Sequence, residues 1–165
     1  MKLVVDLETL GLNPATDRIL CVSFWRIGFD NSPICLIGAS EERILKEFWN
    51  FVELADEIIG FNSKSFDWSF LLARSMIRGI KIPKNVLQIK HTDLREVVYP
   101  YNSYMKGKLQ EFAKALNMTV NTENGQMMPI FYEAKEWEKI KAHCNEDIFA
   151  TLKLYTRCKE IGLIK

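Results

Sequence analysis

The sequence predicts an α/β fold, in which a mixed five-stranded sheet is flanked by helices. Two observations lead to this prediction. In the first half of the chain, β-branched and aromatic runs bounded by Gly, Pro and Asn alternate with stretches of helical periodicity. In the second half, helical spacing dominates. A chain of 165 residues can bury one core of this kind but is short for two, so we expect a single domain, 1–165.

The first three elements are predicted to be strands. They cover residues 2–7 (KLVVDL), 17–28 (DRILCVSFWRIG) and 33–38 (PICLIG). Turn-forming segments, GLNPATD and GFDNSP, separate them. Because these connections are short, we expect the three strands to form an antiparallel meander.

Helices and strands are then expected to alternate. Ser40 is placed to cap a helix whose apolar residues have helical spacing: Ile44, Leu45, Phe48, Trp49 and Val52. We expect a fourth strand at 56–62, a helix from about 66 to 78, and a fifth strand at 85–91. The last two strands would join the sheet in parallel, because a helix lies between them.

The rest of the chain is predicted to be mainly helical, with one helix at 106–116 and one or two more at 133–161. The polar, Gly-containing segment 121–129 is expected to form a loop that could cover a cleft, although the sequence gives it no role. Asp93 is expected to cap a helix. Other mixed α/β folds have nearly the same order of elements, so this order alone does not choose among them.

Composition limits the classes of function. The chain has 22 Lys and Arg against 21 Asp and Glu, a net charge of +1, so its overall field does not attract polyanions. Nucleic acid stays possible, because a basic groove beside an acidic metal site would cancel in the total.

We find no apolar run long enough for a membrane span and no secretory signal, and therefore expect a cytoplasmic protein without a membrane partner. Reduced, mostly buried thiols are expected for the four cysteines, Cys21, Cys35, Cys144 and Cys158.

Acidic residues stand at three places where chemistry is plausible. Asp6 and Glu8 are two apart on the first strand and so point to the same side, as half of a Mg²⁺ site or as a solvated strand end. Asp67 falls in the first turn of a helix, where an acid is also a common cap. Asp147 follows His143 by one helical turn in "HCNED", a spacing that also occurs in ordinary helix-surface pairs.

Three segments in order resemble the exonuclease motifs of the DEDD superfamily of 3′-5′ exonucleases: DLETLGLNP, GFNSKSFDW and HCNEDIFATLKLY. The resemblance extends from Lys2 to about Tyr155. It is nearest to the proofreading exonuclease domain of family B DNA polymerases and the small stand-alone proteins related to it. The resemblance implies a ribonuclease H-like fold.

The same resemblance implies a set of metal ligands. Asp6, Glu8, Asp67 and Asp147 match the four acids that name the superfamily. In such enzymes these acids hold two divalent cations, Mg²⁺ or Mn²⁺, about 4 Å apart around the scissile phosphate. The resemblance implies that Asp6 bridges both cations and that Asp67 acts largely through water.

His143 departs from the family pattern. One branch of the superfamily has His with four residues between it and the last acid, and the other has Tyr with three residues between. The chain has His at the Tyr-type spacing. Histidine accepts a proton near neutral pH more readily than tyrosine, so His143 is a candidate general base, or a residue that orients water or phosphate.

Other residues are candidates for substrate binding. Leu10 and Phe66 resemble the apolar positions that flank the terminal base in related enzymes, although either could simply pack in the core. Asn62 belongs to the second motif. Exposed aromatic and basic residues in YPYNSYMKGK could contact a single strand, namely Tyr104, Lys106 and Lys108, although a partly packed loop with solvated lysines is also possible.

The sequence therefore predicts a metal-dependent 3′-5′ exonuclease that hydrolyses single-stranded DNA by a two-metal-ion mechanism. An exoribonuclease of the same superfamily is the nearest alternative, because the metal chemistry does not depend on the sugar. A nucleic-acid-binding module that has lost turnover is the other. The expected partner is single-stranded nucleic acid, DNA in preference to RNA, and a replication or repair protein could deliver it.

Overall fold

The sheet has five strands in the spatial order β3-β2-β1-β4-β5. The computed structural model describes residues 1–102, 104–119 and 125–165. The strands are β1 (Lys2–Thr9), β2 (Ile19–Arg26), β3 (Ile34–Ile37), β4 (Glu57–Gly60) and β5 (Lys90–Asp93). β1, β2 and β3 pair in antiparallel fashion, whereas β4 pairs with β1 and with β5 in parallel. The predicted meander with parallel additions is confirmed.

Helices cover both faces of this sheet. They are α1 (Glu41–Val52), α2 (Asp67–Arg78), α3 (Leu94–Val98), α4 (Leu109–Ala115), α5 (Met128–Glu133) and α6 (Trp137–Glu160). A 3₁₀ turn, Gly125–Met127, leads into α5. The predicted start of α1 is confirmed, because the Ser40 hydroxyl accepts a hydrogen bond from the Arg43 N–H. None of the helices described is long and apolar enough to cross a membrane.

Side chains of β1 alternate between two cores. Leu3, Val5 and Leu7 pack with the apolar residues of α1 and α2, whereas Val4 packs with those of α4 and α6. Because side chains alternate along a strand, Asp6 continues the row that begins at Val4 and faces α6. The long helix α6 therefore lies over the row of β1 that ends in acids.

The fifth strand was predicted in the wrong place. Residues 84–88 form successive turns rather than a strand, and β5 is Lys90–Asp93. Val86 is buried in the core that includes α1 and α2, while Leu87 is 79% exposed. The apolar residue Val86 anchors a turn to the core, and the apolar side chains of this stretch do not alternate between the two faces of a sheet.

The helices of the second half differ from the prediction at their ends. Segment 106–116 contains the shorter helix α4, and 133–161 contains α6, which begins at Trp137. Helix α5 was not predicted. Its first turn holds Pro129, a residue that favours this position and that sequence analysis assigned to a loop. Residues 121–124 of that loop lie outside the described residues.

Two smaller predictions are confirmed. Asp93 caps α3, since its carboxylate accepts the N–H of Arg95 at 3.0 Å. The four cysteines are free thiols, three of them buried and Cys35 half-buried.

Candidate active site

The parallel strands end at one edge of the sheet, and this edge positions the candidate site. β1, β4 and β5 run in the same direction, so their carboxyl ends lie side by side. Loops at the carboxyl ends of parallel strands are where open α/β sheets commonly bind ligands. Three polar residues lie at these ends or just after them: Glu8 on β1, Asn62 after β4 and Asp93 on β5.

Asp6 and Glu8 lie on the last part of β1, next to a local irregularity. The pairing register between β1 and β2 shifts between Glu8 and Thr9, as at a β-bulge, a feature often found beside active sites. Glu8 is 8% exposed. Burial raises the pKa of both carboxyls well above the usual range, and Asp147 and Asp67 raise it further. The surroundings of both carboxyls therefore favour the neutral, protonated form over the charged one.

Asp67 reaches the same place from helix α2. It is the first residue of that helix and is 6% exposed. Leu7 of β1, the strand that carries Asp6, lies close enough for its backbone to lower the pKa of the Asp67 carboxyl. Burial raises the pKa of Asp67 to about 7, against the opposing effect of backbone hydrogen bonds, and the charges of Asp93 and Asp147 contribute. This acid is more than the helix cap that its sequence position suggests.

His143 and Asp147 come from helix α6 and lie one turn apart. His143 is 5% exposed, and its Nε2 lies 3.3 Å from Oε1 of Glu8. Burial raises the pKa of Asp147, while His143 and a hydrogen bond from Gln110 lower it. The Nε2 amide of Gln110 lies 3.1 Å from each carboxylate oxygen of Asp147. The helix-surface interpretation of the His–Asp pair does not describe this geometry, because both side chains turn inward.

The donor set fits a divalent cation. One ligand atom from each of Glu8, His143 and Asp147 lies within 4.8 Å of the others. Asp6 and Asp67 lie outside this group of three but interact with it electrostatically. Asp67 raises the pKa of Glu8, and Asp147 raises the pKa of both Asp6 and Asp67. Several carboxyls crowded into a buried site repel one another unless a cation is present or some are protonated. Carboxylate oxygens are the ligands that Mg²⁺ and Mn²⁺ prefer.

An apolar cavity of about 290 Å³ opens next to Glu8. Leu10 and Phe66, the two residues predicted to flank a base, both line it. The remaining lining residues come from β1, the loop after it and the start of α5: Leu7, Glu8, Thr9, Gly11, Leu12, Gly125, Gln126 and Pro129. The cavity can therefore hold a flat apolar group within reach of the carboxylate cluster.

Asn62 lines a second cavity of about 500 Å³ on the side of α3. Its backbone is in the left-handed region, with φ of 59°. Its side-chain oxygen accepts hydrogen bonds from Ser65 Oγ at 3.0 Å and from Arg95 Nη1 at 3.1 Å. Tyr101, 99% exposed, lies at the rim of this cavity.

Tyr104, Lys106 and Lys108 stay exposed to solvent, and Tyr104 is 92% exposed. They line neither of the two cavities described here. The structure thus brings Asp6, Glu8, Asp67, His143 and Asp147 together and places Leu10 and Phe66 beside them.

Sequence analysis missed two neighbours of the acids. Gln110 holds Asp147, and the Sγ of Cys144 lies 3.4 Å from Oδ2 of Asp6. Cys144 directly follows His143 in "HCNED", so the motif itself indicated that this thiol lies near the acids. Nothing in the local sequence around Gln110 signals its partner 37 residues away.

Comparison with known proteins identifies the superfamily of the chain. The family model described as RNase_H superfamily matches residues 3–159. The uncharacterized protein MJ0365 of the archaeon Methanocaldococcus jannaschii is 33% identical over 177 residues, which cover 99% of this chain and 98% of that protein.

A solved structure has the same fold. The family B DNA polymerase from the hyperthermophilic archaeon Pyrobaculum calidifontis aligns with a TM-score of 0.80 at 18% sequence identity over 98% of this chain. The chain spans about a quarter of the length of that polymerase, 25% of it. The predicted ribonuclease H-like fold and its resemblance to family B polymerases are confirmed.

Proposed function

The chain belongs to the RNase_H superfamily, and from that membership we propose that it is a metal-dependent nuclease that removes nucleotides from the 3′ end of single-stranded DNA. The observation that carries the proposal is the cluster of buried and half-buried acids with raised pKa values beside an apolar cavity. Superfamily membership supports a nuclease. The 3′-5′ direction, the single-stranded substrate and the number of metal ions are parts of the proposal.

Asp6, Glu8, Asp67 and Asp147 would hold two divalent cations, Mg²⁺ or Mn²⁺. When bound, such cations supply a reactive hydroxide at neutral pH and neutralise charge on the phosphate and on the leaving oxygen. The protein supplies the carboxylates from three separate elements, β1, α2 and α6, so the folded chain fixes their positions before substrate arrives.

His143 is proposed as the group that accepts the proton of the attacking water. Its ring is buried, and Glu8 lies 3.3 Å from its Nε2, which restricts the orientation of the ring. In the proposed reaction, water oxygen bonds to phosphorus while the bond from phosphorus to the 3′ oxygen breaks. The leaving oxygen takes up a proton, and a nucleoside 5′-monophosphate and a shortened strand with a 3′-hydroxyl result.

Substrate binding is proposed to use the two cavities and the exposed segment. The base of the terminal nucleotide would lie against Leu10 and Phe66, since apolar side chains bind bases with little dependence on sequence. The side-chain oxygen of Asn62 is engaged by Arg95 and Ser65, so its amide N–H groups are the donors it can offer to a sugar or phosphate. Tyr104, Lys106 and Lys108 would contact the strand farther from its end.

The test uses 5′-labelled oligonucleotides of single-stranded DNA and of RNA, incubated with Mg²⁺, with Mn²⁺ and with chelator. A ladder that shortens from the 3′ end only in the presence of metal would support the proposal. Faster digestion of RNA would make the protein an exoribonuclease, and binding without shortening would make it a binding module. Asp6→Asn is the variant expected to be inactive, and Glu138→Gln, exposed on α6, is the matched control.

His143 has its own test in the same assay. His143→Ala should reduce the rate if the ring accepts a proton, and His143→Tyr should restore part of it if a hydroxyl can orient the water instead. Full activity in His143→Ala would remove this residue from the proposed mechanism.

A further inference from the structure

The carboxylate of Asp93 makes more hydrogen bonds than a helix cap requires. Asp93 is 3% exposed and accepts three backbone N–H groups. The N–H of Arg95, at 3.0 Å, belongs to the first turn of α3. The other two donors lie across the sheet edge in the loop after β4: Asn62 N at 2.8 Å and Lys64 N at 3.0 Å.

Those two donors belong to the turn that leads to Asp67. The turn is closed by Phe66 N–H donating to the Asn62 carbonyl at 3.2 Å and by Trp68 N–H donating to the Ser63 carbonyl at 2.8 Å. It is also tight, because a Cβ placed on Gly60 would lie 2.4 Å from the side chain of Ser63. Asp67 is the first helical residue after this turn, so the path of the turn sets where its carboxylate lies.

The turn needs support because Asn62 has a left-handed backbone, a conformation that carries a cost for a residue other than glycine. A charged acceptor that receives the Asn62 N–H offsets this cost in the folded state. Arg95 adds a second tie, from its guanidinium to the side-chain oxygen of Asn62 and to the carbonyl of Met105. Residues of β5 and α3 thus hold Asn62 by backbone and by side chain.

We propose that Asp93 is a positioning residue of the candidate active site, which fixes the turn 62–66 and thereby the places of Asn62 and Asp67. The inference rests on the proposed function, since it assigns a role within that site. In this role Asp93 acts through the backbone of a neighbouring loop, in addition to the effect of its charge, which raises the pKa of Asp67.

Two variants separate this role from helix capping. Asp93→Ser keeps a good cap for α3 but offers one short hydroxyl in place of two carboxylate oxygens. Asp93→Asn keeps one acceptor oxygen and sets an NH₂ group against the N–H of Lys64. Ser40→Ala, which removes the cap of α1, serves as the control for the general destabilisation that follows loss of a cap.

Amide hydrogen exchange and steady-state kinetics give the readouts. In both Asp93 variants we expect exchange at Asn62 and Lys64 to accelerate by about tenfold or more, the factor that corresponds to losing a hydrogen bond to a charged group. We also expect kcat to fall by about tenfold, with a rise in the metal concentration needed for half-maximal rate, because Asp67 is displaced. Ser40→Ala should leave both readouts unchanged.

The outcomes separate the two proposals. Unchanged exchange in the turn, or an Asp93→Ser variant with unaltered kcat and metal requirement, would overturn the positioning role. If the unaltered protein degrades no nucleic acid, the proposed function is wrong, and the exchange measurement still decides whether Asp93 holds the turn.

Discussion

Buried carboxylates occur in two regions of this protein and meet opposite surroundings. Glu41, at the start of α1, is 3% exposed and accepts hydrogen bonds from Arg74, from Arg78 and from the N–H of Ile19. Burial pushes its pKa upward, but these donors outweigh burial and lower it. The guanidinium of Arg74 also donates to the Pro14 carbonyl, so this ion pair joins α1, α2, β2 and the loop after β1.

The acids of the candidate site have other acids around them, and Glu8 and Asp67 are buried while Asp6 and Asp147 are half-buried. Asp6, Glu8, Asp67 and Asp147 all have raised pKa values, and in each case burial is the largest cause. Glu41 has its cations built into the chain, whereas the proposed function assigns the balancing charge of the site acids to bound cations. The two groups of carboxylates differ in the charges around them, and burial alone does not distinguish them.

The largest expected effect is on the structural side of this comparison. Glu41→Gln leaves the guanidinium of Arg74 buried without its counter-charge and should cost about 3–5 kcal/mol of unfolding free energy. Urea denaturation measures it. Glu47→Gln, which breaks the exposed pair with Arg43, is the control and should cost at most about 1 kcal/mol. Equal costs would show that the Glu41 pair is no stronger than a surface pair.

Removing a site acid should lower the activity strongly and leave the stability of the folded protein unharmed. We expect Asp147→Asn to slow nucleic-acid hydrolysis about a hundredfold or more, the order of magnitude for loss of one charge-stabilising group. Without metal, its melting temperature should stay the same or rise, because one of several repelling charges is gone. A variant with full activity, or one that unfolds readily, would place Asp147 with the structural acids.

Divalent cations should stabilise the folded protein only by binding at the candidate active site. Mg²⁺ or Mn²⁺ at a hundred times its dissociation constant should add about 2.7 kcal/mol to the unfolding free energy, because the cation binds the folded state. Thermal unfolding with and without metal measures the effect. Glu41→Gln should respond as the unaltered protein does, and Asp147→Asn should respond much less. A metal response retained in full by Asp147→Asn would contradict the proposed ligand set.

The last expected effect concerns pH and a half-buried base, His91. Burial lowers the pKa of His91 to about 4, partly opposed by Asp93 and reinforced by Lys64. Its stabilising contribution is present above pH 6.5, the ordinary value, and is lost as pH falls toward 4, because the unfolded chain binds the proton first. His91→Gln should therefore flatten the fall of the urea midpoint across this range. An unchanged pH profile would show that other groups cause it.

How much of this could be predicted from the sequence depended on the range of the interactions. β1 and α1 followed from local patterns, since strand alternation and a Ser cap are set by neighbouring residues. The four acids were found because ordered motifs surround each of them. Their inward orientation at one sheet edge needs the tertiary structure, and their roles remain proposals.

What escaped prediction depends on contacts distant in the chain. Val86 is apolar because a turn buries it against α1 and α2, and a local pattern does not distinguish this from a strand. Gln110 contacts Asp147 across 37 residues, and Asp93 contacts Asn62 across 31. Asp93 was correctly predicted as a cap from its neighbours, and its two other hydrogen bonds were invisible to the same reasoning.

Helix α6 has a consequence for how the protein is made. It brings His143 and Asp147 to a strand that carries Asp6 near the other end of the chain. During synthesis on the ribosome, β1 emerges before α6, so these side chains meet only after α6 has left the exit tunnel. A nascent or prematurely terminated copy would therefore lack two of the five side chains of the candidate site.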